Sequence, residues 1–302
     1  MPPVPVILNP FSRQGGGDDA LTALRAEGLE VALWEVGDER PGALAERAVQ
    51  QGARLVVVGG GDGTLAEAAA PIIQAGATLG VLPLGTGNTF ARNLKLPLDL
   101  MGAAQVIARG EEARVDVGEV NGQVFLNSVT LGFSAHVAGS LTGDLKRRLG
   151  WGAYPIAAVR ALRSARARRY TLQVDGVARS VRTRQLIAAN AADVASGLTV
   201  PGADYEDGKL VLLVVPGVRP VDALRSILRW LRGDHDALDW RGFRRLELRA
   251  VSGRRMTVNV DGDLLGTTHL SIVARRQALR VMVAVPPATG VDSPEAEPAP
   301  PP

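Results

Sequence analysis

Two short glycine-rich segments are the parts of this sequence best suited to chemistry. The first is GGGDGT at 59–64, which follows the apolar run Arg54–Val58 and precedes a helix predicted over Thr64–Gln74. Glycine lets the backbone approach a ligand closely, and amides at a helix N-terminus bind anions. The segment suits a nucleotide phosphate, although a plain strand-to-helix connection explains it equally well. It is not a Walker A motif, because GK[ST] is missing, and Thr64 stands where a dinucleotide fingerprint has its last glycine.

The second glycine-rich segment, GTGN at 85–88, repeats this design after a strand predicted over Thr78–Leu82. Its side chains Thr86 and Asn88 can hydrogen-bond a phosphate, and Asn88 can equally cap the helix that follows. Two neighbouring strands that both end in glycine loops create one crevice between them. We therefore expect the two segments to contribute to a single phosphate-binding site.

The elements around these segments alternate between strand and helix. This alternation predicts an α/β domain at residues 1–115, with a parallel, Rossmann-like sheet and helices on both faces. Ligands bind such sheets at the carboxyl ends of the strands, where both glycine segments fall. The predicted strands are Val4–Leu8, Glu30–Trp34, Arg54–Val58 and Thr78–Leu82, and the predicted helices are Asp18–Glu27, Gly42–Gln51 and Thr64–Gln74.

Residues 116–288 have a different pattern, in which short β-type runs are separated by turn residues. This half is predicted to be a β-rich antiparallel sandwich, with a barrel as the alternative, interrupted by helices near 144–168 and 220–232. Residues 289–302 are predicted to be a disordered, proline-rich tail. The predicted strands are Arg114–Val120, Val124–Val129, Tyr170–Val174, Leu186–Asn190, Leu210–Val215, Leu246–Ala250 and Thr257–Val260, and the predicted tight turns are Asn121–Gly122, Asp175–Gly176 and Asp207–Gly208.

Composition excludes several classes of protein and site. The sequence has no cysteine, so disulfides and thiolate metal sites are excluded, and its three histidines are too widely spaced to indicate zinc. Neither a signal-peptide pattern nor an apolar run of about 18 residues is present, which predicts a cytoplasmic protein. The net charge is −6 for residues 1–120 but +9 for residues 121–302. The basic half suits either nucleic acid or an anionic membrane surface.

Six short motifs occur in order along nearly the whole chain. They are Asn9–Pro10, GGDGT at 60–64, PLGTGN at 83–88, FLNSVTLGF at 125–133, ADYEDGKL at 203–210 and NVDGD at 259–263. Each motif alone is weak, but the ordered set resembles the diacylglycerol kinase and sphingosine kinase catalytic-domain family, and in particular its bacterial lipid kinases. The resemblance implies the two-domain fold that this family shares with NAD kinase. It also implies transfer of phosphate from ATP to a lipid hydroxyl.

The resemblance further implies which residues hold ATP and Mg²⁺. The matching ATP-binding positions are Asn9, Pro10, Phe11, Ser12, Arg13, Gly60, Gly61, Asp62, Gly63, Thr64, Leu65, Glu67, Thr86 and Asn88. Bacterial members carry a structural magnesium at positions that match the Asp204 and Asp207 side chains and the backbone carbonyl of Lys209. These are the hard oxygen ligands that Mg²⁺ prefers, although a hairpin turn alone also explains Asp207.

The last motif of the family supplies the acidic residues that activate the acceptor hydroxyl, which implies that Asp261 and Asp263 are catalytic here. A solvent-facing type I′ turn is the alternative explanation of the Asp-Gly pair at 261. Asp263 is one methylene shorter than the usual glutamate of the family, which shortens its reach toward the acceptor. Thr89 replaces the aspartate of GTGND, and Phe11 and Arg13 stand where the family often has a serine–glycine pair.

The segment Leu145–Tyr170 carries eight lysines and arginines and no acidic residue. With Trp151 and Tyr154 among them, it predicts a basic amphipathic helix that docks on an anionic membrane, although a solvated helix face explains the pattern too. The resemblance to lipid kinases favours the membrane, and no basic-aromatic motif indicates nucleic acid. We therefore expect peripheral membrane association with a lipid substrate. Members of the family often pair, which leaves a homodimer open.

The predicted function is thus an ATP-dependent lipid kinase that phosphorylates a membrane lipid such as diacylglycerol. Alternative lipid substrates are a sphingoid base and phosphatidylglycerol, each of which presents a similar hydroxyl. One alternative is a kinase of a soluble substrate, because NAD kinases share the GGDGT loop, although PLGTGN fits them poorly. Another is a nonenzymatic nucleotide or lipid sensor, in which the changes at Thr89 and Asp263 have removed the chemistry.

Overall fold

The first half of the chain alternates strands and helices, which confirms the predicted α/β fold. A computed structural model of the protein describes residues 2–10, 12, 17–132, 166–195, 198–217 and 219–285. The elements of this half are β1 (Val4–Leu8), α1 (Gly17–Ala26), β2 (Val31–Glu35), α2 (Pro41–Gln50), β3 (Leu55–Gly60), α3 (Asp62–Ala75), β4 (Thr78–Pro83), α4 (Thr89–Asn93) and α5 (Leu100–Arg109). Strands β1 to β4 lie parallel in the order β2-β1-β3-β4. Their carboxyl ends therefore meet at one edge.

Helices cover both faces of this parallel sheet. Along β1, Ile7 packs in the same cluster as Leu65 of α3, whereas the next residue, Leu8, packs with Leu24 of α1. Successive side chains of a strand point to opposite faces, so burial on both sides requires a nearly continuous apolar run. This requirement explains why β3 could be located from its sequence alone.

The second half forms the predicted β-sandwich. Its elements are β5 (Glu111–Val120), β6 (Gln123–Phe125), β7 (Ser128–Gly132), β8 (Arg168–Val174), β9 (Val177–Thr183), β10 (Gln185–Ala189), β11 (Asp193–Ala195), β12 (Leu198–Thr199), β13 (Leu210–Val215), α6 (Pro220–Leu231), a 3-10 helix (His235–Ala237), β14 (Asp239–Phe243), β15 (Arg245–Ala250), β16 (Met256–Val260), β17 (Asp263–Thr267) and β18 (His269–Val283). One sheet has six strands in the order β14-β13-β10-β7-β16-β17. Its Leu131, Leu186 and Val258 share a buried cluster with Leu172 and Leu246 of the facing sheet. The two sheets thus enclose one core.

Strand β18 joins the two halves of the molecule. It pairs in parallel with β4, where Arg280 lies opposite Thr78, and antiparallel with β5 and β15. A single ten-stranded sheet therefore runs from β2 through β18 to β9. Strand β18 was not predicted from the sequence, because Arg275 to Gln277 interrupt the alternation of its apolar residues. The register shifts there, and Gln277 has a φ of 48°.

The predicted strand Val124–Val129 is wrong in one respect, because it divides into β6 and β7. The break falls at Leu126 and Asn127, whose amides donate to the carboxylate of Asp261 rather than to a neighbouring strand. The strand is therefore interrupted because these two amides bind a carboxylate of the candidate site.

Two of the three predicted tight turns join paired strands. Asn121–Gly122 connects β5 to β6, and Asp175–Gly176 connects β8 to β9, each with two consecutive positive φ angles. Asp207–Gly208 instead forms a turn that leads into β13 without an adjoining hairpin strand, so the hairpin interpretation is wrong there.

The predicted helices of the second half have different outcomes. The helix near 220–232 is α6. Most of the predicted basic helix lies outside the described residues, as does the tail at 289–302. The part of the basic segment at Arg168–Tyr170 is not helical, because it begins β8. No helix within the described residues is long and apolar enough to cross a membrane.

Candidate active site

The two glycine segments lie side by side at the carboxyl edge of the parallel sheet. Gly60, at the end of β3, lies opposite Pro83 of β4. The loops beyond these residues touch through their backbones, since a Cβ built on Gly85 would lie 2.5 Å from the Cα of Gly61. A cleft of about 500 Å³ opens beside them. Its lining residues are Asn9, Ser12, Gly61, Gly63, Thr64, Glu67, Gly85, Thr86 and Asp263.

The first loop of the sheet supports the GGDGT segment. Asn9 follows β1, its amide donates to the carbonyl of Gly59 (3.0 Å), and its Nδ2 donates to Oγ1 of Thr64 (3.1 Å). Thr64 is buried, whereas Glu67 is partly exposed one turn further along α3. The predicted nucleotide residues Asn9, Ser12, Thr64 and Glu67 are therefore brought to one cleft.

Asp62 of GGDGT connects the two glycine segments. Its carboxylate accepts hydrogen bonds from the amides of Thr89 (3.1 Å) and Phe90 (2.9 Å), which begin α4. It also accepts one from Nδ2 of Asn127 (3.1 Å), which belongs to the second half of the chain. Helix α4 thus receives its N-terminal hydrogen bonds from Asp62, 27 residues away in sequence.

Asn88, a predicted phosphate ligand or helix cap, uses its side chain inside its own loop. Its Oδ1 accepts from the amide of Gly85 (2.9 Å), and its Nδ2 donates to the carbonyl of Pro83 (2.9 Å). It is buried, it has a φ of 48°, and its side chain does not cap α4. The side chain therefore shapes the loop that carries Thr86, which is exposed in the cleft.

Asp261 lies in the tight turn between β16 and β17, but its carboxylate does not face solvent. It accepts hydrogen bonds from the amides of Leu126 (2.5 Å), Asn127 (3.0 Å) and Ser128 (2.8 Å). Burial raises the pKa of Asp261 to about 7, the three amides oppose that rise, and the nearby charge of Asp62 adds to it. The expected turn is present, with φ of 47° at Asp261 and 110° at Gly262. The carboxylate in that turn, however, does not face solvent.

Asp263, two residues later, occupies a different environment. It is exposed, lines the cleft, and its Oδ2 would lie 3.9 Å from a Cβ placed on Gly63. The structure therefore places one of the two predicted catalytic carboxylates directly across the cleft from the first glycine segment. The other is held behind it by the backbone of 126–128.

Asn127 and Tyr205 are two buried residues of the site that the sequence did not predict as functional. Tyr205 donates its hydroxyl proton to Oδ1 of Asn127 (3.1 Å), while Nδ2 of Asn127 donates to Asp62. Burial raises the pKa of Tyr205 well above its usual value, and the charges of Asp261 and Asp62 raise it further, so the phenol stays neutral. Asn127 lies in the motif FLNSVTLGF and Tyr205 in the motif ADYEDGKL. Their presence in these motifs is the one sequence signal that could have pointed to them.

The predicted metal ligands lie in the turn before β13. Asp204 accepts the amide of Glu206 (3.1 Å) and Asp207 accepts the amide of Lys209 (2.8 Å), each through one oxygen, and both aspartates are exposed. Each carboxylate keeps its second oxygen outside these bonds, so the donors suit Mg²⁺ chemically. Within the described residues, no three histidine or acidic side chains gather as a metal site.

Two other predicted residues, Leu65 and Pro10, do not line the described cleft. Leu65 is buried in the core beneath α3, and Pro10 is exposed beside the first loop. Phe11 and Arg13 lie outside the described residues. Thr89 lies at the start of α4, where its backbone amide is bonded to Asp62.

Comparison with known proteins identifies both halves of the chain. Residues 3–120 match the diacylglycerol kinase catalytic domain, and residues 127–283 match the YegS C-terminal NAD kinase beta sandwich-like domain. A protein of Pseudomonas syringae pv. tomato described as "Probable lipid kinase YegS-like" is 34% identical over 270 residues, which cover 87% of each chain. A protein of Pseudomonas aeruginosa with the same description is 32% identical over 294 residues, covering 91% of this chain and 93% of the relative.

A solved structure has the same fold. The crystal structure of a diacylglycerol kinase from Bacillus anthracis str. Sterne superimposes with a TM-score of 0.73 at 22% identity, covering 93% of this chain and 96% of that one. The two matched domain types follow one another along nearly the whole described chain, and relatives with the same description align over most of its length. The chain therefore belongs to the YegS-like family of lipid kinases, which combines a diacylglycerol kinase catalytic domain with a YegS-type β-sandwich.

Proposed function

We propose that the protein transfers the γ-phosphate of ATP to the hydroxyl of a membrane lipid such as diacylglycerol. The observation that carries this proposal is the cleft between the two glycine segments, with the carboxylate of Asp263 on its opposite side. A phosphate bound at the glycines would lie between backbone amides and a proton acceptor. Phosphoryl transfer needs this arrangement, because positioning and charge stabilisation supply most of its catalysis.

The nucleotide side of the proposal rests on α3. This helix of 14 residues begins at Asp62, and no described side chain caps its first turn. Gly63 and Thr64 of that turn line the cleft, so their amides and the positive end of the helix are available to a phosphate. The second loop adds the hydroxyl of Thr86. We assign the triphosphate of ATP to this surface, with Asn9 and Ser12 beside it.

The acceptor side rests on the hairpin between β16 and β17. The lipid hydroxyl gives its proton to Asp263 while its oxygen forms a bond to the γ-phosphorus, and the bond to the β-phosphate oxygen breaks to release ADP. Asp261 holds the hairpin in place through its bonds to 126–128. Asp263 is shorter than the glutamate of the family, so the acceptor hydroxyl must approach the phosphate loop closely.

We also propose Mg²⁺ as the required metal. Bound to ATP, it offsets the negative charge of the transferred group. The resemblance further assigns a structural ion to the turn before β13, where Asp204, Asp207 and the carbonyl of Lys209 would hold it. The free oxygens of the two aspartates support this assignment.

Labelled ATP and vesicles of defined lipids test the proposed reaction. Radiolabel in a chloroform-soluble product is expected with diacylglycerol, and it is expected to disappear without Mg²⁺ or in Asp263→Asn. Asp239→Asn is the matched control, because Asp239 is an exposed carboxylate on β14 outside the cleft. Label entering NAD would identify a soluble-substrate kinase. ATP binding without any turnover would identify a sensor.

Comparing acceptors in the same assay defines the lipid. Diacylglycerol, a sphingoid base and phosphatidylglycerol each present a hydroxyl near the membrane surface. A rate with diacylglycerol at least about tenfold above the others, a difference of about 1.4 kcal/mol in transition-state binding, supports the proposed substrate. A comparable preference for a sphingoid base or phosphatidylglycerol would make that lipid the substrate in place of diacylglycerol.

A further inference from the structure

Tyr205 connects the two halves of the chain and has no part in the proposed reaction so far. It precedes β13, yet its ring is buried in the core of the first half, together with Leu65 of α3. The ring contacts Phe90 of α4 edge to face, with the ring centroids 5.6 Å apart. Its hydroxyl donates to Oδ1 of Asn127 (3.1 Å). Tyr205 does not line the cleft, so any effect it has on the site passes through these neighbours.

The backbone around Tyr205 is held by Asp116, a fully buried residue of β5. The carbonyl of Tyr205 accepts the amide of Asp116 (2.6 Å). The carboxylate of Asp116 accepts the amide of Gly208 (2.5 Å), in the same turn as Tyr205, and the amide of Gln277 (2.7 Å), in β18. The turn is thus attached to two long strands, and the hydroxyl of Tyr205 projects from a fixed base.

Asn127, the partner of this hydroxyl, is bonded to both sides of the cleft. Its backbone amide donates to Asp261 (3.0 Å), and its carbonyl accepts the amide of Asn190 (2.8 Å). Its Nδ2 donates to the carboxylate of Asp62 (3.1 Å). The backbone bonds do not involve Tyr205, so the hydroxyl of Tyr205 acts on the side-chain amide of Asn127 alone.

The side-chain amide of Asn127 is satisfied in only one orientation. Its NH2 end donates and its oxygen end accepts, whereas an ionised carboxylate only accepts. The NH2 end must therefore face Asp62, because the reversed amide would set two acceptors against each other without a proton between them. The oxygen end then requires a donor, which is the hydroxyl of Tyr205. Without that hydroxyl, a buried oxygen loses its partner and the amide is no longer held at both ends.

Asp62 determines how the two glycine segments lie against each other. It follows Gly61 of the first segment, and its carboxylate accepts the amides of Thr89 and Phe90 just after the second. A Cβ built on Gly87 would lie 3.3 Å from Oδ2 of Asp62, so the carboxylate also lies against the second segment itself. The arrangement of the amides that we assign to the phosphates therefore depends on where this carboxylate is held.

We infer that Tyr205 is a positioning residue for the nucleotide. Its hydroxyl directs the amide of Asn127 to Asp62, and Asp62 holds the two glycine segments in the arrangement that binds the triphosphate. This role rests on the proposed function in one respect, since it takes ATP as the ligand of these segments. The acceptor side has its own support, because Asp261 binds the backbone of 126–128. Loss of the hydroxyl is therefore expected to weaken nucleotide binding and to leave the use of the lipid unaltered.

Tyr205→Phe tests this role, because it removes the hydroxyl and keeps the ring against Phe90. Titration of the whole protein with a fluorescent ATP analogue and Mg²⁺ is expected to show binding about tenfold weaker than that of wild type, since a buried hydrogen bond that orders the site is lost. In the vesicle assay, the KM for ATP is expected to rise by a similar factor, while kcat and the KM for diacylglycerol stay within about twofold of wild type. A purely structural role would lower only the unfolding temperature.

Tyr170→Phe is the matched control, because it removes the same hydroxyl from a tyrosine that is 5% exposed in the core of the sandwich. It is expected to bind the ATP analogue like wild type. Asn127→Asp is a second variant, which keeps an acceptor for Tyr205 but turns a carboxylate toward Asp62. Because the two carboxylates repel, it is expected to weaken the nucleotide more than Tyr205→Phe does. Thermal unfolding measures whether each variant is folded, and wild-type affinity in a folded Asn127→Asp overturns the role.

A double-mutant cycle with Asn127→Ala tests whether Tyr205 acts through Asn127. Asn127→Ala alone is expected to weaken the nucleotide at least as much as Tyr205→Phe does. Adding Tyr205→Phe is expected to weaken binding no further, because the amide that the hydroxyl directs is already absent. Effects of the two changes that multiply would show that Tyr205 acts by another route, and they would overturn the role.

The failure of this role and the failure of the reaction give different results. If Tyr205→Phe binds the analogue like wild type, or if Tyr170→Phe loses as much affinity, the positioning role fails even where lipid is phosphorylated. If wild type phosphorylates no lipid but the variants show the expected losses of affinity, the proposed reaction fails and the positioning role stands. A wild type that binds no nucleotide overturns both.

Discussion

Asp261 and Asp263 are two residues apart in one hairpin, yet their surroundings give them different tasks. Asp261 accepts the amides of three consecutive residues, 126–128. Asp263 lines the cleft, and within the described residues its carboxylate accepts no hydrogen bond. The position of a backbone segment therefore depends on the first carboxylate. Contact with a ligand in the cleft is the role we propose for the second.

Replacing Asp261 with asparagine is expected to lower both stability and transfer. An amide offers a single oxygen to the three backbone donors, so at least one partly buried amide loses its partner, which costs about 1–3 kcal/mol. Urea unfolding measures the loss. Asp263→Asn is the control and is expected to unfold like wild type while losing transfer. Equal stability of wild type and Asp261→Asn would contradict the idea that Asp261 holds residues 126–128 in place.

The raised pKa of Asp261 predicts a pH-dependent stability. Its folded value of about 7 exceeds the ordinary value of 3.8, so the folded state binds this proton more tightly. The resulting stability is present in full below pH 3.8 and is lost as the pH rises through about 7. The stability of wild type relative to Asp261→Asn is therefore expected to fall across this window in urea unfolding series. A difference in stability that stays constant with pH would mean that the three amides keep the pKa of Asp261 low in the folded state.

Sequence motifs located these carboxylates but not their surroundings. An Asp-Gly pair reports a tight turn locally, and that turn is present. The amide of Ser128 that binds the carboxylate is 133 residues away along the chain, and no local pattern reports such a partner. Tyr205 and Asn127 were missed for the same reason, since their hydrogen bond exists only after distant strands have packed.

At the scale of elements, the contact between the two glycine loops is sensitive to the addition of a single methyl group. Gly85→Ala would place a Cβ 2.5 Å from the Cα of Gly61 and 2.8 Å from Oδ1 of Asn88. Because backbone cannot give way easily, we expect a loss of about 1–3 kcal/mol in stability and weaker ATP binding. Urea unfolding and titration with a fluorescent ATP analogue measure the two effects.

Gly63→Ala is the matched control for that change. Its Cβ would meet nothing nearer than Oδ2 of Asp263, at 3.9 Å. We expect it to fold at least as stably as wild type, because alanine suits a helix better than glycine, while its methyl group obstructs the cleft. If Gly85→Ala is as stable as Gly63→Ala, the loops do not pack as described.

Elements were predictable where burial imposes a simple period. Strands β1, β3 and β4 are apolar on both faces, and α1 to α3 follow each of the first three strands in turn. Strand β9 was missed because nearly all of its residues are exposed, and β18 because charged residues interrupt it. Both strands are defined by their pairing partners, which a local pattern does not contain.

At the scale of the whole molecule, β18 makes the two matched domains parts of one sheet. It is the last strand of the sandwich, and it pairs with β4 of the first half of the chain. Its Leu279 and Val281 are buried with Ile7 and Leu65 in the core of that half, whereas Leu270 and Ile272 are buried in the sandwich. Neither half completes its core without this strand.

A shared strand predicts that the two halves unfold together. Trp34 packs against the core of the first half, and Trp230 of α6 is buried against the sandwich, so single-tryptophan variants that retain one or the other report each half separately. Coincident urea transitions are expected from both reporters. Leu24→Ala, a fully buried change in the first half, is expected to remove about 2–5 kcal/mol and to shift the Trp230 transition as far as the Trp34 transition. A shift confined to Trp34 would show that β18 holds to the sandwich alone. The cleft would then lie between two independently stable bodies, and Asp62 and Asn127 would be joined across a movable boundary.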